Sequence, residues 1–447
     1  MASAAEQLAA HMNLGAFAKA TELKKRIWFT LGALIVYRLG TYIPLPGINP
    51  AAVADIFESQ AGGILGMFNM FAGGALGRMT IFALNIMPYI SASIIMQLMT
   101  AVMPTLEALK KEGEAGRKKI NQYTRYLTVV ITAAQAYGLA VGLEGMQSSV
   151  GSAVVEPGLF FRFVTVVTLV GGTLFLMWLG EQITARGVGN GISLIIFAGI
   201  VAELPGALAG TLELGRTGAL SAGLIIVLLL MAVAVIFFIV FVERAQRRII
   251  VQYPKRQMGN RMTAGESSHL PLKINTAGVI PPIFASSLLL MPITAIGFMA
   301  GQGPEWLTTV AALLGRGQPL YLGIYIGLIV FFAFFYTAVV FNPSDTADNL
   351  KKYGGFIPGI RPGKNTAEYL DRVLTRLTVV GAIYLAFVCL LPELLISQFA
   401  VPFYFGGTSL LIVVTVTMDT VAQIQSHLLA HQYEGLIKKS KLRGRRG

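Results

Sequence analysis

Few residues in this sequence have the type and spacing that catalysis or metal binding requires. His427 and His431 lie four residues apart on a predicted helix, but no acidic residue or cysteine completes a metal site. The glycine-rich run 187–191 resembles a phosphate-binding loop, yet no strand precedes it and no Lys-Ser/Thr pair follows it, which favours a flexible turn. Cys389, the single cysteine, is predicted to pack within a helix. The sequence thus indicates no enzyme, no metal and no cofactor.

The composition explains this scarcity, because it is that of a membrane protein. Of 447 residues, 55% are hydrophobic and only 13% are charged, and the mean hydropathy is +0.67. Soluble domains carry about 25% charged residues, so this chain has about half the charge that a water-facing surface needs. A single cysteine excludes a disulfide framework. We therefore expect an all-α polytopic membrane protein.

Ten apolar stretches are long enough to cross a bilayer. A hydrocarbon core of about 30 Å requires about 20 mostly apolar residues in a helix. Lys and Arg are concentrated in alternate loops, which predicts that both termini face the cytoplasm. The first stretch lacks a small-residue cleavage site and is followed by nine more, so a cleaved signal peptide is not expected. The predicted spans are 27–44, 81–103, 126–143, 161–180, 189–208, 220–242, 275–299, 320–341, 377–397 and 404–424.

Two of the predicted cytoplasmic loops are longer than a short connection requires. Loops 243–274 and 342–376 are both rich in Lys and Arg. The isoelectric point of 9.8 mainly reflects the charge asymmetry that sets orientation. The length of these two loops nevertheless indicates docking surfaces, and a basic surface suits a partner that is acidic or rich in phosphate.

The two halves of the chain contain a short repeat. Residues 86–93 and 279–286 share proline, isoleucine, alanine and serine at the same four offsets. Five predicted spans separate the copies, and an odd number inverts the second half relative to the first. Because proline kinks or breaks a helix, the second and seventh spans are predicted to form a gate. Their hydrogen-bonding side chains are those of Ser91, Ser93, Gln97, Asn275, Thr276, Ser286 and Ser287.

Ionisable residues are scarce at membrane depth. Arg38 lies about 16 Å into the first predicted span, whereas Glu181, Arg186, Glu393 and Asp419 lie near span ends. Ion-coupled transporters generally need ionisable groups within the membrane, so a secondary transporter for a small solute is the weaker hypothesis. It remains the alternative, since a substrate bound through backbone groups needs no such residue.

A glycine-rich apolar run at 62–77 follows the first span. It is too short and too rich in glycine to form a stable span, and the predicted topology puts it on the non-cytoplasmic side. Two interpretations are open at this point. The run is either a loop packed against the outer surface or a re-entrant segment that closes a pore.

Several polar and turn motifs resemble those of the bacterial SecY family, the channel subunit of the general protein-secretion translocase. The motifs run from the first span to the last, so the resemblance covers nearly the whole chain, and shared hydrophobicity does not account for it. They are LGALIVYR at 31–38, IPLPGI at 43–48, MPYISAS at 87–93, WLGEQIT at 178–184, FNP at 341–343, TADNLKK at 346–352, PGIRPG at 358–363 and VPFYFGGTSLLI at 401–412.

This resemblance implies ten transmembrane helices in two inverted five-helix halves around a central pore. It implies an apolar ring at the constriction, which closes by dewetting, a plug at about 64–78, and a lateral gate between the second and seventh spans. Without the resemblance, lipid-facing or packing isoleucines would be the better interpretation of the ring positions. The implied ring is Ile86, Ile90, Ile192, Ile196, Ile283 and Ile412. The implied plug includes Ile64, Leu65, Met67, Phe68, Phe71, Gly73, Gly74 and Arg78, and the implied gate includes Pro88, Ser91, Gln97, Asn275, Thr276, Pro281 and Pro282.

The resemblance also implies macromolecular partners. Arg361 is the predicted motor-coupling residue, and its alternative role is a hydrogen bond that fixes its own loop. Arg256 and Arg261 lie at the tip of loop 243–274, which would face the ribosome and carries fewer arginines than related tips. The implied partners are the SecE and SecG membrane subunits, the SecA ATPase motor, the ribosome, and the accessory factors SecDF and YidC. The implied substrate is an unfolded preprotein with a signal sequence.

These expectations combine into one organisation of the chain. A cytoplasmic segment at 1–26 precedes a first half at 27–208 and a second half at 209–424, and a basic cytoplasmic tail follows at 425–447. The expected function is passage of unfolded proteins across the bacterial inner membrane, with sideways release of transmembrane segments into lipid. The energy for transport would come from a partner.

Overall fold

The computed structural model describes residues 20–59, 69, 72–148, 151–218, 221–254, 257–258, 261–262, 267–299, 309, 313, 318–399 and 407–443. Within these ranges a helix overlaps each of the ten predicted spans, which confirms the all-α membrane fold. In span order the helices are Thr21–Gly40, Met87–Val102, Glu114–Gly145, Leu159–Arg186, Gly191–Arg216, Ala222–Arg244, Ile280–Met299, Pro319–Val340, Lys364–Phe399 and Gly407–Arg443. Shorter helices, Pro50–Ser59, Pro104–Lys111 and Pro343–Lys352, lie between them.

Seven helices in the described part of the chain are long and apolar enough to cross a membrane on their own. An eighth crossing is formed by the pair Met87–Val102 and Pro104–Lys111, which is bent by 98° at its break. The bend coincides with Pro104, because proline cannot continue the backbone hydrogen bonds of the preceding helix. The first span begins with charged residues, and the seventh is the helix Ile280–Met299.

Polar caps determine where several of the helices begin. The side-chain oxygens of Asn190, Ser221 and Asn342 accept hydrogen bonds from backbone amides in the first turns that follow them. A cap of this kind stabilises a helix by about 1 kcal/mol. These three caps lie at the starts of the fifth span, the sixth span and the Pro343–Lys352 helix.

Packing follows the division into two halves. The third and fourth spans contact each other, as do the seventh and eighth, and the eighth and ninth. The two halves meet where the seventh span contacts the second and third, and where the fifth contacts the sixth and tenth. One hydrophobic core runs through both halves. The second and seventh spans therefore lie together at a seam between the halves, as the repeat predicted.

The loop at 243–274 contains a β-hairpin, which was not among the elements predicted from the sequence. Strand Gln246–Gln252 pairs antiparallel with Ser267–Lys273 over seven residue pairs. Ile249 and Val251 are buried and Ile250 is exposed, which is the alternation of a half-buried strand. Two shorter antiparallel pairs join Gln147–Ser148 to Gly151–Ser152 and Gln257–Met258 to Arg261–Met262.

The two long basic loops form a single structural unit, which we call the loop unit (243–274 and 342–376). Gln252 and Phe356 exchange two backbone hydrogen bonds, at 2.9 and 3.0 Å. The ninth helix begins at Lys364, well before the predicted span at 377, and packs against the hairpin. The shared apolar core consists of Ile249, Leu272, Ile357, Leu370, Val373 and Leu374. The docking surface predicted on each loop is thus carried by one packed body.

Candidate functional site

A cavity of about 600 Å³ lies between the two halves. Three of the predicted ring residues, Ile196, Ile283 and Ile412, line it together. They come from the fifth, seventh and tenth spans, which are far apart in the sequence. Charged and polar side chains line the rest of the chamber, among them Glu243, Lys273, Asn275, Asp419 and Gln423. The lining of the cavity therefore contains both apolar side chains and hydrophilic ones.

All six predicted ring isoleucines lie in one hydrophobic cluster. Ile86, Ile90, Ile196 and Ile412 are buried members of it, and Ile192 and Ile283 are half-buried and pack against it. The pairs from the second and fifth spans are each four residues apart, so each pair lies on one face of its helix. The six side chains thus belong to the core that both halves share, and three of them, Ile196, Ile283 and Ile412, line one cavity.

The start of the fifth span is tied to three other spans, which determines where Ile192 and Ile196 lie. The glycine-rich run 187–191 is not the flexible turn that its composition suggested. Gly189 has a φ of +89°, a conformation that favours glycine. The backbone nitrogens of Val188, Gly189 and Gly191 donate to side-chain oxygens of Thr30, Gln423 and Thr184, at 3.0, 2.9 and 2.9 Å.

The prolines of the second and seventh spans begin their helices and do not kink them. Pro88 lies in the first turn of Met87–Val102, and Pro281 and Pro282 lie in the first turn of Ile280–Met299. The missing amide of proline costs little there, because first-turn amides have no partner within the helix. The prediction of kinked gate helices is therefore wrong at these positions. The prolines instead fix where both helices begin, close in sequence to the predicted ring residues Ile86 and Ile283.

The polar side chains predicted for the gate divide into two groups. Asn275 and Thr276 precede the seventh helix and shape its entry. Asn275 Nδ2 donates to Glu243 Oε1 at 2.7 Å and to the carbonyl of Gly278 at 3.0 Å, and Thr276 Oγ1 donates to the carbonyl of Lys273 at 3.0 Å. Asn275 therefore joins the entry of the seventh span to the sixth, whereas Thr276 bonds to the end of the hairpin, and their described hydrogen bonds do not cross to the second span.

The other predicted gate side chains lie on the second and seventh helices, which contact each other. Ser91, Ser286 and Ser287 are buried, and Gln97 Nε2 donates to Ser93 of its own helix at 3.4 Å. Gln97 Oε1 and Ser287 Oγ are buried and have no hydrogen-bond partner among the described residues. A buried polar atom without a partner destabilises its interface by about 1–3 kcal/mol. The second and seventh helices thus each bury a polar atom that destabilises their packing.

The described part of the predicted plug enters the hydrophobic core. Ala72, Ala75 and Leu76 are buried, and the chain from 72 to 86 forms successive turns before the second helix. This placement favours the re-entrant interpretation over a loop on the outer surface. Gly73, Gly74 and Arg78 belong to this part, whereas Ile64, Leu65, Met67, Phe68 and Phe71 lie outside the described residues.

The predicted docking arginines differ in how much of each is described. Arg361 is exposed in a turn between Gly359 and Gly363, which have φ values of +81° and +106°. Thr366 Oγ1 donates to the carbonyl of Arg361 at 2.8 Å, so the backbone of Arg361 fixes the turn and its side chain points to solvent. Arg256 lies outside the described residues, and the backbone of Arg261 belongs to the short strand Arg261–Met262.

Two carboxylates at the site were not singled out from the sequence. Glu243 ends the sixth span, is buried, and accepts the hydrogen bond from Asn275. Glu203 lies within the fifth span and is half-buried beside Gly74. Both are charged residues in or beside apolar runs, and a search for single acidic residues there would have found them.

Comparison with known proteins identifies relatives over the whole chain. The family model described as SecY matches residues 80–421. The protein translocase subunit SecY of Escherichia coli strain K12 is 59% identical over 424 residues, which cover 95% of this chain and 96% of the relative. The protein of the same name from Vibrio cholerae serotype O1 is 57% identical over 428 residues, with coverage of 95% and 96%.

Solved structures share the fold at low sequence identity. A protein-conducting channel superposes with a TM-score of 0.64 at 19% identity, and covers 91% of this chain and 92% of its own. A SecY channel whose plug domain stabilises the closed state and maintains a membrane seal gives 0.61 at 19% identity and the same coverage. Sec61 in the canine ribosome–channel complex gives 0.60 at 18% identity, again with coverage of 91% and 92%.

Proposed function

Because the chain belongs to the SecY family, we infer that it is the channel subunit of a protein translocase and conducts protein chains through the membrane. The observation that carries this function is that Ile196, Ile283 and Ile412, from three spans of both halves, line one cavity where the halves meet. A small-solute site would be expected to present specific polar contacts at this point. An apolar ring instead forms no specific hydrogen bonds with a passing chain, whatever the sequence of that chain. It can also exclude water when the channel is at rest.

The six isoleucines are proposed to form the pore ring. Support comes from their common cluster and from the χ1 stiffness of β-branched side chains, which keeps a narrow constriction well defined. The turns at 72–79, with the glycine-rich run before them, are proposed to be the plug. The burial of Ala72, Ala75 and Leu76 supports this role.

The seam between the second and seventh spans is proposed to be the lateral gate. It is one of the places where the two halves touch, and each of its helices buries a polar atom without a partner among the described residues, Gln97 Oε1 and Ser287 Oγ. A hydrophobic signal sequence or membrane anchor could replace this contact and pass into lipid. Asn275 and Thr276 are proposed to act at the gate indirectly, because they hold the entry of the seventh helix to the sixth span and to the hairpin respectively.

The loop unit is proposed to dock the partners that supply energy. Its hairpin exposes Arg247 and Arg248, and Arg361 projects from a fixed turn of the second loop. A SecA-type ATPase motor and the ribosome are the proposed partners, and the ribosome-bound Sec61 relative supports the latter. SecE and SecG are proposed as bracing membrane subunits, with SecDF and YidC as accessory factors. The substrate is proposed to be an unfolded preprotein with a signal sequence.

The proposed location is the bacterial inner membrane, with both termini in the cytoplasm. The concentration of Lys and Arg on the side of the loop unit supports this orientation. The proposed organisation keeps the two halves at 27–208 and 209–424, flanked by cytoplasmic segments at 1–26 and 425–447. Contacts made mainly within each half support that division.

Reconstitution separates this function from a secondary transporter for a small solute. Proteoliposomes containing the chain, its two small membrane subunits and an ATPase motor are expected to import a preprotein only when ATP is present. They are expected to retain small solutes, because the ring and plug seal the resting pore. Uptake of a small solute driven by an ion gradient, together with no preprotein import, would instead support the transporter.

A further inference from the structure

Two arginines converge on one backbone carbonyl at the end of the described plug segment. Arg38 Nη1, from the first span, donates to the carbonyl of Gly73 at 2.9 Å. Arg78 Nη2, from the plug segment itself, donates to the same oxygen at 3.0 Å. Hydrogen bonds from charged donors are about twice as strong as those between neutral groups. The Gly73 carbonyl is therefore the most strongly held point of this turn.

Both guanidinium groups are also anchored to the end of the first span. Arg78 Nε donates to the carbonyl of Thr41 at 3.3 Å. Arg78 and Arg38 lie 4.3 and 5.6 Å from the centre of the Tyr42 ring, within range of cation–π attraction. Thr41 is fully buried and Arg78 spans the gap between it and Gly73. The turn at Gly73 is thus attached to the first span by two separate side chains.

The opposite side of the same turn rests on the fifth span. An added Cβ at Gly73 would lie 2.8 Å from the Cα of Gly199, so the two backbones touch. An added Cβ at Gly74 would clash with Glu203 Oε1 and lie 2.8 Å from Arg78 Nη2. Gly73 and Gly74 have φ values of +63° and +78°, which favour glycine. The turn therefore fits closely between the first and fifth spans.

Glu203 supplies a negative charge beside this turn. Arg38 and Arg78 are half-buried cations that share one acceptor, and like charges this close repel each other. Glu203 is half-buried, and its carboxylate and Arg78 Nη2 both border the same point at Gly74. A partly buried carboxylate on the other side of Gly74 from Arg78 partly compensates the positive charge at this turn without a direct ion pair.

We propose that Arg38, Arg78 and Glu203 form a latch that holds the Gly73–Gly74 turn between the first and fifth spans and so keeps the resting pore sealed. This proposal rests on the proposed function of the plug, and it identifies the side chains that hold the plug in position. Arg38 and Glu203 act as positioning residues, since each contacts the turn from a different span. Both spans belong to the first half of the chain, so the latch holds the plug against that half.

The test measures the chloride permeability of resting channel complex in proteoliposomes. Losing a charge-assisted hydrogen bond shifts a two-state equilibrium by about tenfold or more, so Arg38→Gln is expected to raise permeability about tenfold. Glu203→Gln is expected to raise it as well, because the paired cations lose their counter-charge. Arg38→Lys keeps one charged donor and is expected to recover much of the seal, which a merely structural role would not predict.

A matched control and a reference variant make each outcome informative. Arg125→Gln removes an arginine that pairs with Glu181 at 2.8 Å, away from the plug, and is expected to seal like the unchanged protein. A variant lacking residues 64–78 reports the full effect of losing the plug. If that deletion leaks while Arg38→Gln and Glu203→Gln remain sealed, the latch is wrong and the plug stands. If the deletion also remains sealed, the plug assignment fails and the latch fails with it.

Discussion

Replacing Ile86, Ile192 and Ile283 together by asparagine is expected to raise the ion conductance of the resting channel about 100-fold. The three residues come from the second, fifth and seventh spans and pack in or against one apolar cluster. An apolar constriction excludes ions because water does not fill it. Three amide groups at the constriction would hydrogen-bond to water and lower the free energy of filling it. Single-channel recordings in planar bilayers measure the conductance directly.

The matched control places the same three substitutions on outer helix surfaces. Ile35, Ile226 and Ile383 are 61%, 58% and 65% exposed, so their replacement by asparagine leaves the ring intact. This control is expected to conduct no more than the unchanged protein. Equal conductance in the ring variant, the control and the unchanged protein would show that the cluster does not form the seal.

Reversing the charge of Arg361 is expected to reduce motor-driven export about 100-fold. Its side chain is exposed, whereas its carbonyl carries the hydrogen bond from Thr366 that fixes the turn. Arg361→Glu therefore changes the docking surface by two charges and keeps the fold of the turn. The measurement is the initial rate of ATP-dependent preprotein import, with motor binding measured in parallel.

Arg372→Glu is the matched control for this prediction. Arg372 is also exposed on the loop unit, on the ninth helix, so the same change in net charge occurs outside the PGIRPG turn. Its import rate is expected to stay within about threefold of the unchanged protein. If both variants lose import equally, general charge and not Arg361 governs docking, and if neither does, the motor docks elsewhere.

The sequence predicted the membrane spans well, because a stretch of about 20 apolar residues has few other stable environments. It also singled out the second and seventh spans as a pair, since Pro88 and Pro281 occupy the same offset of the repeat, and the family resemblance implied that these two spans meet. Helix ends were less certain. The predicted second span began at 81, but the turns before Met87 and the proline in the first helical turn start the helix later.

Other features depend on contacts between distant residues and could not be read from local patterns. The hairpin strand Gln246–Gln252 was missed because its arginines hide the alternation of Ile249 and Val251. The composition of the run 187–191 indicates a flexible turn. The partners that hold its amides, Thr30 and Gln423, are more than 150 residues away and cannot be recognised from the local sequence. The ring isoleucines came from family resemblance, since a pore isoleucine and a packing isoleucine look alike in sequence.

The central claim is that a translocating chain passes through the isoleucine ring. A preprotein with one cysteine, stalled during import, tests it by disulfide formation with Ile283→Cys in a Cys389→Ala background. Cys389 is the single cysteine of the sequence, so its replacement leaves the introduced thiol as the only one on the channel. We predict a disulfide that requires the motor or the ribosome, and no disulfide with the outer control Ile383→Cys. Confirmed stalling with no bond at Ile283→Cys, while Ile383→Cys reacts, would contradict the account.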